Sequence, residues 1–552
     1  MNPPTQATTN VAVDTRGQPN AWIIAFEQVR IEPWLKIYSL FTLNWKNLKN
    51  ILPLSQSESI MKTLRDRDHS GLSRAVSVVI AVIVIVALVG VLAYALTRHA
   101  TTTTSPTVAT TSQSSSTAAA PVTLTLITFS DPSNQWMQWA AQQFEAQHPG
   151  VKINIVPESF GSYLQTEITA EKTGSSQYDI LGFTSTSALS VEPYLVNLSQ
   201  YFTVNTSDIP YSQLSFGGLY RNTSNGAVEM IGVPYDSSTF ALFYRTDIFD
   251  NKTLNQTFYN EYHVGLDPHD WTNWTDAIWA DEFLVNQTHT TQYGILVDAQ
   301  QAHDIIDTFP AIFGWWYEHN QTLNGGTVGG ITNYNIMFEG TAPPGKPPLP
   351  SFNNSDGVQA LEVFYQLIKY DPVPFSEVNY GTIGTLFAKG NAAGAIMFTP
   401  ENPTLLNSSI VGKYAVSTLP GGYAETGTDF LGVSKYSLHK QLAAEFIQFL
   451  LQPNVNAQLY YQTGEFPISA QAVAQIASNT SLSAWQRELV TTVYATAKVA
   501  WANPPNIPQT YPQLIPDFND QVYAFLQGNG SPQSAMEALN TAASEWVAAV
   551  NG

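Results

Sequence analysis

From Val122 onward the apolar residues switch period again and again, and this constrains the fold more than any other feature of the chain. Val122 to Thr128 (VTLTLIT) alternates as a strand does. Asp131-Pro132 then reads as a helix N-cap followed by a proline at the first helical position. Trp136, Trp139, Ala140 and Phe144 recur at helical spacing, and His148-Pro149-Gly150 stops the helix. Val151, Ile153 and Ile155 alternate again, a helix is expected from about Gly161 to Lys172, and a strand from Tyr178 to Phe183. Strand–helix–strand–helix order at this spacing predicts a parallel sheet with helices on both faces.

The pattern returns downstream. Strands are expected at 231–236, 240–244, 293–297, 393–398, 414–419 and 430–434, and helices at 271–285, 302–317, 356–370, 440–451 and 533–550. Two α/β units without a simple repeat predict two lobes with a cleft between them, where a ligand would bind.

The N-terminal part differs. Val76 to Leu96 is an uncharged, almost wholly apolar run, and about 20 such residues span a bilayer as a helix. Lys62, Arg65, Arg67 and Arg74 precede it and Arg98 follows, so the basic excess places the preceding side in the cytoplasm and everything after Arg98 outside. Residues 100–120 are rich in Thr, Ser and Ala; such composition builds no core and makes a flexible or O-glycosylated stalk. The expected segments are therefore 1–60, a basic signal region 61–75, a membrane or signal helix 76–97, a linker 98–121 and a globular domain 122–552. Residues 1–60 carry Trp22, Trp34 and Trp45 but no amphipathic period. They are either a cytoplasmic tail or an over-extended reading frame. In the second case Met61 is the start, and KTLRDRDHSGLSRAV resembles a class III, prepilin-like signal cut near Gly71, as in archaeal membrane-anchored sugar-binding proteins.

Asn-x-Ser/Thr triplets occur at Asn197, Asn205, Asn222, Asn251, Asn255, Asn273, Asn286, Asn320, Asn353, Asn407, Asn479 and Asn529, all after the apolar run. They suit a glycosylated outer surface, or simply an Asn- and Thr-rich polar one. The net charge of −20, with only 23 Lys and Arg, argues against nucleic acid and against anionic membrane surfaces as partners. Without cysteine there are no disulfides, thiolate metal sites or Cys nucleophiles. No Gly-x-Ser-x-Gly, His-Glu-x-x-His, Walker A or EF-hand pattern is present, and the nine histidines do not cluster at metal-ligand spacing. Neither a cofactor nor a resident metal is expected.

Several stretches, in order, resemble the family 1 extracellular solute-binding proteins, the maltose-binding-like class. They are Phe144-Glu-Ala-Gln-His-Pro-Gly-Val-Lys-Ile153, Gln177-Tyr-Asp-Ile-Leu181, Gly232-Val-Pro-Tyr-Asp236 with Phe243-Tyr-Arg-Thr-Asp247, Phe387-Ala-Lys-Gly-Asn-Ala-Ala-Gly-Ala-Ile-Met397, Leu419-Pro-Gly-Gly422 and Gly464-Glu-Phe-Pro467. The resemblance covers nearly all of 122–552; the first 60 residues and an apparent insertion at 340–350 have no counterpart. It implies an α/β, two-lobed periplasmic-binding-protein-like fold of type II, with lobe 1 at about 122–236 and 399–451 and lobe 2 at about 237–398 and 452–552. It also implies a monomer that is not an enzyme, delivering a sugar or oligosaccharide to an ABC permease and its ATPase subunits.

A sugar site needs flat aromatics for the ring face and polar groups for the hydroxyls. The candidates are Ser130 and Asp131 after the first strand, Phe160 after the second, and Thr184 and Ser185 after the third. Tyr235 and Asp236 stand at the first crossover, Thr399 and Glu401 past the return. The Trp315/Trp316 pair and the bare Gly421-Gly422 loop complete the set. Asp131 serves equally as a cap, Phe160 as a core aromatic, Thr184 and Ser185 as helix caps, Tyr235 as hinge packing, and one of the two tryptophans as core. Two other readings compete: the same fold with a peptide, polyamine or anion as solute, and a secreted glycosidase, whose paired carboxylates leave no local signature. An anion clamp is poorly supplied, because Arg221 and Arg245 are the only arginines between Arg98 and Arg487.

Overall fold

The computed structural model describes residues 121–222, 224–302, 304–320, 337–339, 349–502 and 514–551. The apolar run at 76–96, the stalk, residues 1–60 and most of the 340–350 insertion lie outside these. Among the described residues no helix is long and apolar enough to cross a membrane.

In chain order the elements that frame the cleft are β1 (Val122–Phe129), α1 (Ser133–Gln147), β2 (Val151–Glu158), α2 (Phe160–Lys172), β3 (Ile180–Thr184), β4 (Val233–Pro234), β5 (Thr239–Arg245), β6 (Tyr293–Val297), α3 (Ile305–Asn320), β7 (Ala392–Phe398), β8 (Tyr414–Ser417), β9 (Ala424–Thr426), β10 (Asp429–Val433), α4 (Lys440–Leu450), α5 (Pro453–Thr463) and β11 (Ala500–Ala502).

The first sheet has the order β2-β1-β3-β10-β4. β1 pairs in parallel with β2 and β3, and β10 runs antiparallel to β3. Both faces are covered, as a largely parallel sheet requires. Leu124 and Leu126 of β1 enter one apolar cluster, while Ile127 enters another with Tyr178 and Leu181. α1 buries Trp136, Met137, Ala140, Ala141 and Phe144. Phe144 meets Phe446 and Phe449 of α4 edge-on, with centroids 5.3 and 5.5 Å apart. The helix begins one residue later than expected: Pro132 is the N-cap and no side chain caps it.

The second sheet has the order β11-β9-β5-β7-β6, with β8 also on β5. Its central strand alternates cleanly. Phe240 and Leu242 face one core with Trp271, Phe309 and Ile396; Ala241 and Phe243 face another with Met397, Tyr414 and Val490.

Sheet membership moves the expected lobe boundaries. β8 and β9 pair antiparallel with β5, so 399–426 stay with the second sheet, and the chain re-enters the first sheet only at β10. α5 packs on α1 as well as on lobe 2: Val455 and Leu459 join the first-sheet core and Ala457 and Tyr460 the second-sheet core, and Trp136 Nε1 donates to the Val455 carbonyl at 2.8 Å. Periodicity predicts β8 as a strand but carries no information on which edge it pairs with, and α5 is not among the helices expected from the sequence. The short strands β9 and β11 had no alternation long enough to be seen.

Side chains tie the crossings together. The Thr399 hydroxyl accepts from Thr239 N at 3.0 Å and donates to the Ser237 carbonyl at 2.9 Å. Ser237 N donates to the Phe466 carbonyl at 2.9 Å, and its hydroxyl to that of Pro467 at 2.8 Å.

The Asn-x-Ser/Thr triplets have a local structural role. Asn197, Asn205, Asn222, Asn251, Asn273, Asn479 and Asn529 each accept, through the side-chain oxygen, the backbone N–H two residues on. These are Asx turns, several of them at helix starts. Turn formation alone therefore accounts for much of this pattern, and it leaves the amide nitrogen free of that bond.

Candidate functional site

A cavity of about 440 Å³ opens between the two sheets, within the size range of small-molecule sites. The first sheet contributes Phe129 at the end of β1, Phe160 and Gly161 at the start of α2, Thr184, Ser185 and Thr186 after β3, and Asp429 at the start of β10. The second lobe contributes Gln300, Asp304 and Asp307, the Asn379-Tyr380-Gly381 turn, and Phe398 with Pro400. Ser238 and Gly427, from two of the crossings, form part of the wall.

The aromatic side chains form one continuous patch. Phe160 lies edge-on to Phe129 at 5.3 Å and 6.5 Å from Tyr380, which in turn meets Phe398 at 6.0 Å. Phe160 is 43% exposed, unusual for so large an apolar ring unless something covers it. Opposite, Thr184 pairs its hydroxyl with those of Thr186 and Ser187, and Ser185 N donates to the Thr428 carbonyl at 3.3 Å.

Carboxylates surround this cavity. On the first-lobe side, burial pushes Asp131 up to about 6 and Asp236 up to about 8. Burial, reinforced by the charges of Asp236 and Asp131, also pushes Asp429 and Glu465 well above the ordinary range. On the other side, burial followed by the charges of Asp304, Asp307, Glu401 and Asp371 raises Asp298, and burial lifts Glu401 to about 7. No Lys or Arg is among the described residues that line the cavity. The ion pairs Lys152–Glu145, Arg245–Asp247 and His269–Asp267 lie elsewhere. Among the described residues no group of three His, Asp or Glu is placed to hold a metal ion.

Of the sequence candidates, Phe160, Thr184 and Ser185 line the cavity, and the other ten do not. Ser130 is exposed and bonds back to the Glu158 carbonyl. The Asp131 carboxylate accepts from Ser133 Oγ at 2.5 Å. Tyr235 is fully buried, stacked on Trp136 at 6.0 Å, so it packs the hinge. Asp236 sits behind the wall and accepts from Asp429 N at 3.1 Å. Thr399 locks the crossings, and Glu401 lies against Gly384. Trp315 donates from Nε1 to the Thr272 carbonyl at 2.8 Å, and Trp316 packs edge-on against it at 5.2 Å. The Gly421-Gly422 loop has φ of +106° and +92° and closes a turn between Leu419 and Tyr423. A Cβ on Gly421 would stand 2.5 Å from Trp315 Cδ1. Glycine is needed there for the turn and for the tryptophan.

Sequence reasoning missed Phe129, Ser238, Gln300, Asp304, Asp307, Tyr380, Phe398 and Asp429. Gln300 to Asp307 follow strand β6, and the rule that cleft residues sit at strand ends would have found them.

The family model for bacterial extracellular solute-binding proteins matches residues 129–457. The chain belongs to this family. The match takes in most of both sheets and the crossings at 235–238 and 399–428. Solved structures repeat the architecture at low identity. Maltose-bound MalE3 of T. maritima superposes with a TM-score of 0.56 at 17% identity, covering 77% of this chain and 99% of that one. A solute-binding protein of an ABC transporter from Agrobacterium radiobacter K84, in complex with ribitol, gives 0.54 at 20% identity, over 77% and 99%. The cyclic α-maltosyl-1,6-maltose binding protein of Arthrobacter globiformis gives 0.56 at 17%, over 78% and 100%. At such identity the likeness establishes a two-lobed α/β periplasmic-binding-protein-like fold. The family is one of binding proteins rather than enzymes, consistent with the absence of catalytic patterns from the sequence.

Proposed function

We propose that this solute-binding protein is the extracellular substrate-binding component of an ABC uptake system. It captures a sugar or oligosaccharide between its lobes and hands it to a membrane permease. One observation carries this reading: a cavity built from both lobes presents a continuous aromatic patch beside hydroxyl and amide groups, and these are the two chemistries of a sugar. The sugars and the polyol in the neighbours' crystal structures support it. Residues 76–96 would anchor the chain as a single span of archaeal membrane-anchored type, with the domain from Val122 outside, acting as a monomer. The Asn-x-Ser/Thr turns would be glycan acceptors on that outer surface.

The test is a thermal-shift titration of the purified chain with mono- and oligosaccharides. A ligand that binds only the folded state adds about 2.7 kcal/mol at a hundredfold excess over its dissociation constant. Saturable stabilisation by one class, with the sugar recovered unchanged, is expected. A response to peptides or anions alone would replace the ligand class, and turnover of the sugar would replace binding with catalysis. Phe160→Ala should weaken binding by about tenfold or more while leaving the melting temperature within ~1 °C, since a half-exposed aromatic contributes to the ligand and little to the core. Unchanged affinity in that variant would remove the aromatic patch from the site.

A further inference from the structure

Asp429 stands out within the cleft. It is 5% exposed and lines the cavity. Its backbone N–H donates to Asp236 Oδ1 and its carbonyl accepts from Tyr235 N. Among the described residues its carboxylate makes no hydrogen bond and no ion pair. A buried carboxylate without a partner is costly, and a fold retains one where something else supplies the missing partner. Its surroundings do not supply one. Asp236, Asp131 and Glu465 all act on Asp429 with the same sign of charge. Asp304 and Asp307 add two more carboxyl groups to the opposite wall.

We propose that the solute held in this cleft carries an ammonium group, as an amino sugar does, and that Asp429 receives it. This rests on the sugar-capture reading and narrows it. An ammonium provides charge-assisted donors that a hydroxyl cannot match. The faces of Phe160, Tyr380 and Phe398 favour a cation a second time, because an aromatic ring presents negative charge to whatever lies over it. Thr184, Ser185, Asn379 and Gln300 line the same cavity and supply polar groups beside the neutral part of the ring. Burial and the like charges of Asp236, Asp131 and Glu465 push Asp429 well above the ordinary carboxylate range, and a cation seated beside it would pull it back down, favouring release of a proton on binding.

Isothermal titration of the purified full-length protein separates the possibilities, using three matched series: glucosamine and its β1→4 oligomers, the same compounds N-acetylated, and glucose with its β1→4 oligomers. The amine series should bind at least about tenfold tighter than both others. Its heats should change with the ionisation enthalpy of the buffer, reporting proton release. Asp429→Asn should bring the amine down to the level of the neutral sugars. Its melting temperature should be equal to or above the parent's, because a repelling buried carboxyl is gone; this separates loss of recognition from misfolding. Neutral or acetylated sugars binding as tightly as the amines, without proton release, would overturn the inference and leave sugar capture standing. Binding of spermidine with no sugar bound would overturn both, as would binding by none of them.

Discussion

Stability of the folded domain should fall as pH rises from about 4 to about 8, against the usual expectation for a protein that carries this much negative charge into neutral solution. The cause is a set of carboxyl groups taken out of water, with Lys435 acting on Glu171 and most of the others, among the described residues, having no cation beside them. Burial lifts Glu171 to about 7, Asp236 to about 8 and Glu401 to about 7. Glu167, Asp281, Asp298, Asp371, Glu425, Asp429 and Glu465 are likewise pushed well above the ordinary range, burial being the first cause in each. Among the described residues, both oxygens of Glu167, Asp298 and Glu425 lack a hydrogen-bond partner.

In the unfolded chain these groups titrate near 4. Between that value and the raised one, the folded state binds more protons than the unfolded state, so the unfolding free energy decreases with pH. Their contribution is fully present below about pH 4 and is lost as pH climbs through the folded values. One group raised by two units accounts for about 2.7 kcal/mol, so the summed loss between pH 5 and pH 8 should reach at least about 3 kcal/mol even if most of the set contributes little. The opposing groups are few. Glu145, Asp247 and Asp267 are held below their usual range, but they belong to surface pairs with Lys152, Arg245 and His269, and such pairs contribute little. Denaturant midpoints measured at fixed salt across this range should slide downward. Asp236→Asn should flatten the slope. A midpoint constant or rising from pH 5 to pH 8 would mean that the buried carboxyls find partners in solution that the fold does not show.

Period carried much of the architecture into the sequence, and little of the site. Val122 to Thr128 and Trp136 to Phe144 were legible because a half-buried strand and a helix repeat at different intervals, and burial follows those intervals. Phe160, Thr184 and Ser185 were legible because each follows a parallel strand, where the chain emerges at the cleft edge. Asp429 was not, since it opens an antiparallel strand whose place in the first sheet depends on a long return through β8 and β9. Tyr380 sits in a turn with no period of its own. The Trp315/Trp316 pair looks like a sugar platform in sequence but does not line this cavity; the Trp315 indole gives its N–H to the Thr272 carbonyl and lies against Gly421. Residue type suggests what a side chain is able to do, and only long-range pairing decides which cavity it reaches.

Trp136 couples that long-range pairing to stability, and Trp136→Ala should lower the unfolding free energy by about 3–5 kcal/mol. The indole is fully buried on the inner face of α1. It stacks on Tyr235 at 6.0 Å with 29° between the planes, and its Nε1 donates to the Val455 carbonyl at 2.8 Å. Removing it leaves a cavity bounded by α1, α5 and the first crossover, and takes a second donor from a carbonyl of the α5 helix. Trp136→Phe separates the two losses. It keeps most of the apolar volume and forfeits the hydrogen bond, so it should cost about 1–3 kcal/mol, clearly less than the alanine variant. Tyr235 leads directly into Ser237, whose bonds to Phe466 and Pro467 join two crossings. The alanine variant should therefore also weaken ligand binding, although residue 136 does not line the cavity. Equal losses for phenylalanine and alanine would put the hydrogen bond, not the packing, at the centre of this hinge. A small loss for both would mean that α5 holds to lobe 1 through other contacts, and that the crossings are set without Trp136.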